Sequence, residues 1–264
     1  MNVTVIISYY KALDNLKVIL LALNNQSANN FEVIVSEDDN NEETRNFINN
    51  NKNNYSYNIT HLHQNKDDGF RKNEMLNKSI INSKNEFIAF IDGDCVPHKH
   101  FVREYSNNAK EGYFFSGRAV LLDENISNFT KQNITLKKIN FITLLFSKTK
   151  KLKDSIYFPL FQFSIKTNGV AGRNWGVLKQ HIIEVNGFDE DYIYAGVGED
   201  VDIEWRLFAN GLKRKSIRNK AIIYHLHHKR TYSEAKVREN LEMFYKKQKM
   251  DNIKCLNGIE NIKA

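Results

Sequence analysis

The chain has 264 residues, a net charge of +7 and 41% hydrophobic residues, enough for one large domain or two small ones with a sizeable core. With 2 prolines and 12 glycines it is not low-complexity, and 2 cysteines are too few for a disulfide framework and fit a reducing cytosol. No apolar run is long enough for a transmembrane helix, and the N-terminus enters a strand pattern at Val3, so no signal peptide is expected.

Val3–Ser8 reads as a strand, and Leu13, Leu16, Ile19, Leu20 and Leu23 recur at helical spacing behind it. A second strand over 31–36 ends in Glu37-Asp38-Asp39-Asn40. A short helix over 42–50, a strand over 57–62 and a helix over 71–83 come next. Phe87–Ile91 is an unbroken apolar run flanked by polar residues, which predicts a strand buried on both faces. A helix over 98–109 and one strand over 113–122 follow. Such alternation predicts an α/β fold with a mostly parallel central sheet flanked by helices.

The strand over 87–91 ends in Asp92-Gly93-Asp94. In open α/β sheets ligands bind beyond the carboxyl ends of the strands, where these two acids fall. Gly93 lets the backbone turn so that both approach one point, and a hard divalent cation would relieve their repulsion. The plain alternative is an acidic turn. Neither a dinucleotide-type Gly-x-Gly-x-x-Gly nor a phosphate loop is present, so phosphate must be held by a metal or by basic side chains. Two acidic strand ends, Glu37-Asp38 and Asp92/Asp94, suit a nucleotide with its base or ribose at one and its diphosphate at the other.

Between Lys131 and Lys166 eight lysines face one acid, Asp154, with aromatic and aliphatic residues interleaved. This composition suits an anionic membrane surface or substrate, or else a solvated basic face. From Asn168 glycines punctuate the chain. A helix over 178–186 ends at Gly187, and Gly187-Phe188-Asp189-Glu190 leads to Gly198-Glu199-Asp200 at the start of another helix, where Asp200 and Asp202 could equally be capping acids. A strand over 221–224 runs into His225-Leu226-His227-His228. Strand alternation would place His225 and His227 on one face and His228 on the other.

Taken together these motifs, from Val3 to about His228, resemble the family 2 glycosyltransferases of the GT-A (nucleotide-diphospho-sugar transferase) fold. The likeness is to bacterial polysaccharide and lipopolysaccharide transferases of the chondroitin- and hyaluronan-synthase kind, with a C-terminal motif similar to that of galactosyltransferases. The resemblance implies a single domain over 1–264, with a nucleotide-sugar half (1–122), a basic-aromatic insertion (123–167) and an acceptor half (168–264). It implies an inverting transfer from a UDP-sugar to a hydroxyl of a saccharide or lipid-linked acceptor, aided by Mn²⁺ or Mg²⁺, in the cytoplasm or at the inner face of the membrane and without nucleic acid.

The residue roles implied are specific. Ser8, Glu37, Asp38, Arg71, Asn77, Asp92 and Gly93 would hold the donor, Asp94 and His225 the metal, and Asp200 would be the general base. Glu199 and Asp202 would hold acceptor hydroxyls. The family's Gly-Trp-Gly-Gly is replaced by Ala195-Gly196-Val197-Gly198; Trp175 or Tyr194 would supply the missing aromatic surface, with a core role for Trp175 as the alternative. Glu37 stands where the family has Asp. A sugar nucleotidyltransferase and a non-catalytic saccharide- or nucleotide-binding module are the readings from other classes. The first would need a glycine-rich basic loop after the first strand, where Ser8-Tyr9-Tyr10-Lys11 is not one.

Overall fold

Strands β1 (Val3–Tyr9) and β2 (Phe31–Glu37) are dominated by β-branched and aromatic residues, and their side chains are buried on both sides. They lie parallel in register, Val3 opposite Phe31, with β3 (Asn58–His63) outside β2 and β4 (Phe87–Asp92) on the other flank of β1. Helices α1 (Leu13–Asn24), α2 (Glu42–Asn51) and α3 (Lys72–Asn82) connect them. The strands and helices expected from the sequence occur here in that order. This computed structural model describes residues 1–160, 169–170, 172–229 and 233–262, so Phe161, Phe163 and Lys166 of the basic-aromatic stretch lie outside the described residues.

Beyond β4 come β5 (Cys95–Pro97), α4 (Phe101–Asn108), β6 (Tyr113–Ser116), β7 (Arg118–Leu121), α5 (Glu124–Asn133) and α6 (Phe141–Leu145). The chain continues through β8 (Trp175–Leu178), α7 (Lys179–Glu184), α8 (Glu199–Ala209), β9 (Lys213–Ser216), β10 (Ile222–His225) and α9 (Glu234–Lys249). Seven strands form one sheet in the order β3-β2-β1-β4-β8-β6-β9, and three form a smaller sheet, β5-β10-β7. The large sheet is parallel except at β8, which runs against both β4 and β6.

The single strand expected over 113–122 is in fact two, in different sheets. Gly117 is the break. Its N–H bonds the Asn174 carbonyl at 3.0 Å, and a Cβ there would fall 2.2 Å from the Asn174 side chain, so the chain crosses between sheets where only glycine fits.

Period-two alternation along β4 sends Phe87, Ala89 and Ile91 to a core shared with α1, and Ile88 and Phe90 to a second core with α3 and α8. Full burial of such side chains stabilises by about 1.5–3 kcal/mol each. The strand that ends at Asp92 is therefore clamped from both faces.

Candidate active site

The turn after β4 is pressed onto the end of β1. Asp92 lies opposite Ser8, and a Cβ at Gly93 would stand 2.9 Å from the Ser8 carbonyl oxygen and 3.2 Å from Tyr9 Cα. Glycine is required there by close approach of the two backbones. In the small sheet β10 pairs antiparallel with β5, His225 opposite Cys95, which sets His225 beside Asp94. Asp94 Oδ2 lies 3.4 Å from His225 Nε2 and 3.0 Å from His228 Nε2. The Cys95 thiol donates to Asp94 Oδ1 at 3.1 Å. Strand geometry stops at His225, so the expected alternation fails. His228 joins His225 on the Asp94 side, while His227 turns its N–H to Ser127 Oγ at 2.8 Å.

Antiparallel β8 brings the C-terminal half to the same place. Trp175 pairs with Phe90, so residues 172–174 run past the end of β4 that carries Asp92. There the Gly172 N–H donates to Asp200 Oδ2 at 2.8 Å, and a Cβ on Gly172 would fall 2.7 Å from Asp200 Oδ1. Asp200 and Glu199 occupy the first turn of α8, whose N–H groups favour anions. Lys72, at the start of α3, joins the two halves: its Nζ is 3.3 Å from Asp92 Oδ1 and 3.6 Å from Glu199 Oε1. Asp200 Oδ1 and Glu199 Oε2 are buried and have no hydrogen-bond partner among the described residues.

Burial, then the neighbouring Asp200 charge, pushes Glu199 up to about 7. Burial also raises Asp200, with Lys72 opposing it and Asp92 adding to it. Burial works against the charge on Lys72, but Asp92, Glu199 and Asp200 outweigh it and hold its pKa above the ordinary value. Burial lowers His225, leaving a neutral imidazole, whereas the hydrogen bond to Asp94 lifts His228 to about 9. Lys72, Asp92, Asp94, Arg173, Asp200 and His225 share one open cavity of about 770 Å³, with Lys148, Lys150 and the 195–197 loop at its edge.

Several residues expected at ligands are occupied elsewhere. Asn77 is fully buried, and its amide both donates to the Phe188 carbonyl and accepts from the Phe188 N–H, each at 2.8 Å, holding the Gly187–Glu190 loop to α3. The Asp189 and Asp191 carboxylates of that loop pair with Lys247 of α9. Trp175 is 1% exposed and stacks on Phe90, so it is core rather than an acceptor platform. Glu37 is enclosed against His61, 2.6 Å away. Asp38 accepts the Arg71 N–H and the Gln64 amide, and the Arg71 side chain lines a separate groove with Glu74 and Glu190. Tyr194 borders the cavity loop with Lys236 over its ring.

Asp202 is the clearest correction. It faces inward and binds Arg206 Nε at 2.7 Å, while Arg206 also donates to the carbonyls of Val185 and Gly187. Both side chains are 1% exposed. Asp202→Ala would strand a buried guanidinium and should cost about 3–5 kcal/mol of stability in denaturant unfolding. A loss near that of a surface substitution would overturn the structural assignment.

Sequence reasoning missed Lys72, Gly172 and Arg173, and it set His228 on the face opposite His225. Lys72 stands next to Arg71, and only the direction of the first turn of α3 decides which of the two cations enters the cavity.

The fold is that of the GT-A glycosyltransferases. The sequence profile described as glycosyl transferase family 2 matches residues 4–165, and that described as N-terminal domain of galactosyltransferase matches residues 154–229. The chain belongs to glycosyl transferase family 2. No curated protein matches it. Similar solved structures include S. aureus TarS (TM-score 0.62, 16% identity, 94% of this chain and 39% of that one). The mannosyltransferase PcManGT from Pyrobaculum calidifontis, in complex with GDP-Man and Mn²⁺, matches with TM-score 0.62, 14% identity, 94% of this chain and 64% of that one. TarS 1-349 in complex with UDP-GlcNAc matches with TM-score 0.59, 13% identity, 88% of this chain and 60% of that one. The chain thus spans less than two thirds of each of these neighbours.

Proposed function

We propose that the chain transfers a hexosyl or N-acetylhexosaminyl unit, with inversion, from a UDP-sugar to a hydroxyl of a saccharide or lipid-linked saccharide in the synthesis of a bacterial surface polysaccharide or lipopolysaccharide. The observation that carries this reading is that Asp94 with His225, and Asp200 with its unpartnered oxygen, face one cavity. The donor class is supported by the neighbours solved with UDP-GlcNAc and GDP-Man.

The residues fit a divalent cation. Asp94 offers a carboxylate, and His225, kept neutral by burial, offers a nitrogen lone pair close to it. These two would hold Mn²⁺ or Mg²⁺, with His228 adjacent. When bound, the cation would neutralise the departing diphosphate. Asp92 and the Ser8–Gly93 contact shape the donor end, and Lys72 adds positive charge there. Asp200 Oδ2 is pinned by Gly172, so Oδ1 is the oxygen free to take the acceptor hydroxyl proton. The acceptor oxygen then bonds the anomeric carbon as the bond to the diphosphate oxygen breaks and the leaving group keeps the electron pair. One displacement inverts the centre without a covalent enzyme intermediate.

The deciding experiment is UDP release from a panel of UDP-sugars with saccharide acceptors, with product configuration read by NMR. Release with no UDP-sugar, or retention of configuration, would sink the reading.

Proton balance gives a second expectation. Asp200 must be ionised to act, and burial, with the Asp92 charge adding to it, raises its pKa above the ordinary carboxylate value. Activity should therefore fall as pH drops through that raised value, at higher pH than an ordinary aspartate would set. Asp92→Asn removes the negative neighbour that raises Asp200 and lets it ionise at lower pH, so the acid limb of kcat/KM should move to lower pH. An unmoved limb would show that the Asp92 charge does not act on Asp200.

A further inference from the structure

Helix α6 is anchored by a single side chain. Of Phe141–Leu145 only Leu144 is buried, and Asn140 caps the helix by accepting the Thr143 N–H. At the helical advance per residue, Phe141, Ile142, Leu145 and the following Phe146 fall within an arc of roughly 140°, with Leu144 well outside it. All four are exposed, Ile142 at 71% and Phe146 at 85%. Four apolar side chains on one face of one turn form a contiguous patch, not scattered surface residues.

The patch has a basic surround. Lys137, Lys138, Lys148, Lys150, Lys151 and Lys153 are all exposed. The one acid in this segment, Asp154, is buried and paired with Arg218 at 2.6 Å, so it does not offset them at the surface. Among the described residues no helix is long and apolar enough to cross a membrane. An apolar tip among lysines complements an anionic lipid bilayer: side chains enter the acyl boundary while ammonium groups meet the headgroups. Lys148 and Lys150 also edge the active-site cavity, which would lie at headgroup level.

We propose that residues 137–153 dock the protein on an anionic bilayer, with Ile142 and Phe146 inserted and the lysines on the headgroups. The interaction is reversible and independent of sugar transfer.

Sedimentation of the full chain with vesicles of phosphatidylcholine, alone or mixed with phosphatidylglycerol, tests it. Binding should require phosphatidylglycerol and fall as salt rises. The pair Ile142→Ser and Phe146→Ser, and separately the pair Lys137→Glu and Lys138→Glu, should each weaken binding at least about tenfold. Both double variants should keep the wild-type melting temperature and their UDP-release activity on a soluble acceptor. A Phe146→Trp probe should blue-shift on binding. Absence of binding at low salt would overturn the proposal. So would equal binding to neutral vesicles, or wild-type binding by the Ile142/Phe146 variant. None of these outcomes bears on the transfer reaction, and loss of transfer would leave the vesicle result intact.

Discussion

Asp200→Asn is expected to lower turnover by roughly 100- to 10,000-fold, the usual worth of a general base, while donor affinity is retained. The reason lies in how the two oxygens are used. Oδ2 is held by the Gly172 N–H, and Oδ1 is buried without a hydrogen-bond partner among the described residues. An amide keeps the shape of the side chain and removes its basicity. Single-turnover rates and UDP titrations separate the two quantities. If donor affinity collapses and turnover survives, Asp200 is a donor ligand and the base lies elsewhere. Glu199, the other carboxylate lining this cavity with a buried, unpartnered oxygen, would then be the next candidate.

Asp94→Ala should bring transfer to background and abolish the dependence of UDP binding on Mn²⁺ or Mg²⁺. Neutralising a leaving diphosphate is worth several kcal/mol of transition-state charge, and Asp94 is the carboxylate that lies against His225 and His228. Alanine would also leave the imidazoles of His225 and His228 without the oxygen between them. Mn²⁺ titration followed by EPR gives a readout apart from activity: wild type should bind, and the variant should bind much more weakly. Full activity in excess chelator, or unchanged Mn²⁺ affinity in the variant, would remove the cation from this site.

Much of the donor half was legible because its signals are local. Apolar runs and helical spacing place β1 to β4 and α1 to α3, and the resemblance singles out Asp92, Asp94, Asp200 and His225, which meet in one cavity. What was not legible depends on chain direction in three dimensions. Trp175–Leu178 is too short and glycine-broken to signal a strand, yet it joins β4 to β6. The polar Lys213–Ser216 carries no apolar period at all and is an edge strand held by pairing with β6. Asp202 and Asn77 look like ligands by motif. Arg206 stands one helical turn beyond Asp202, but that both side chains are buried is not written in the spacing, and the Phe188 backbone reaches Asn77 from 111 residues away. His228 was assigned to the wrong face because the strand ends at His225.

The reversed strand β8 has a consequence for biosynthesis. β4 is complete at Asp92, but the neighbour that covers its open side begins at Trp175. At ribosomal speeds of about 5–20 residues per second, the interval is roughly 4–17 s. Throughout it the nascent chain presents the row Phe87-Ile88-Ala89-Phe90-Ile91 with unpaired backbone groups, a template for pairing with other chains. A fragment that stops before Trp175 is therefore expected to self-associate in light scattering, and adding β8 and its partner helix α8 should suppress it. The strand that builds the cavity is also the one that closes the window for misassembly.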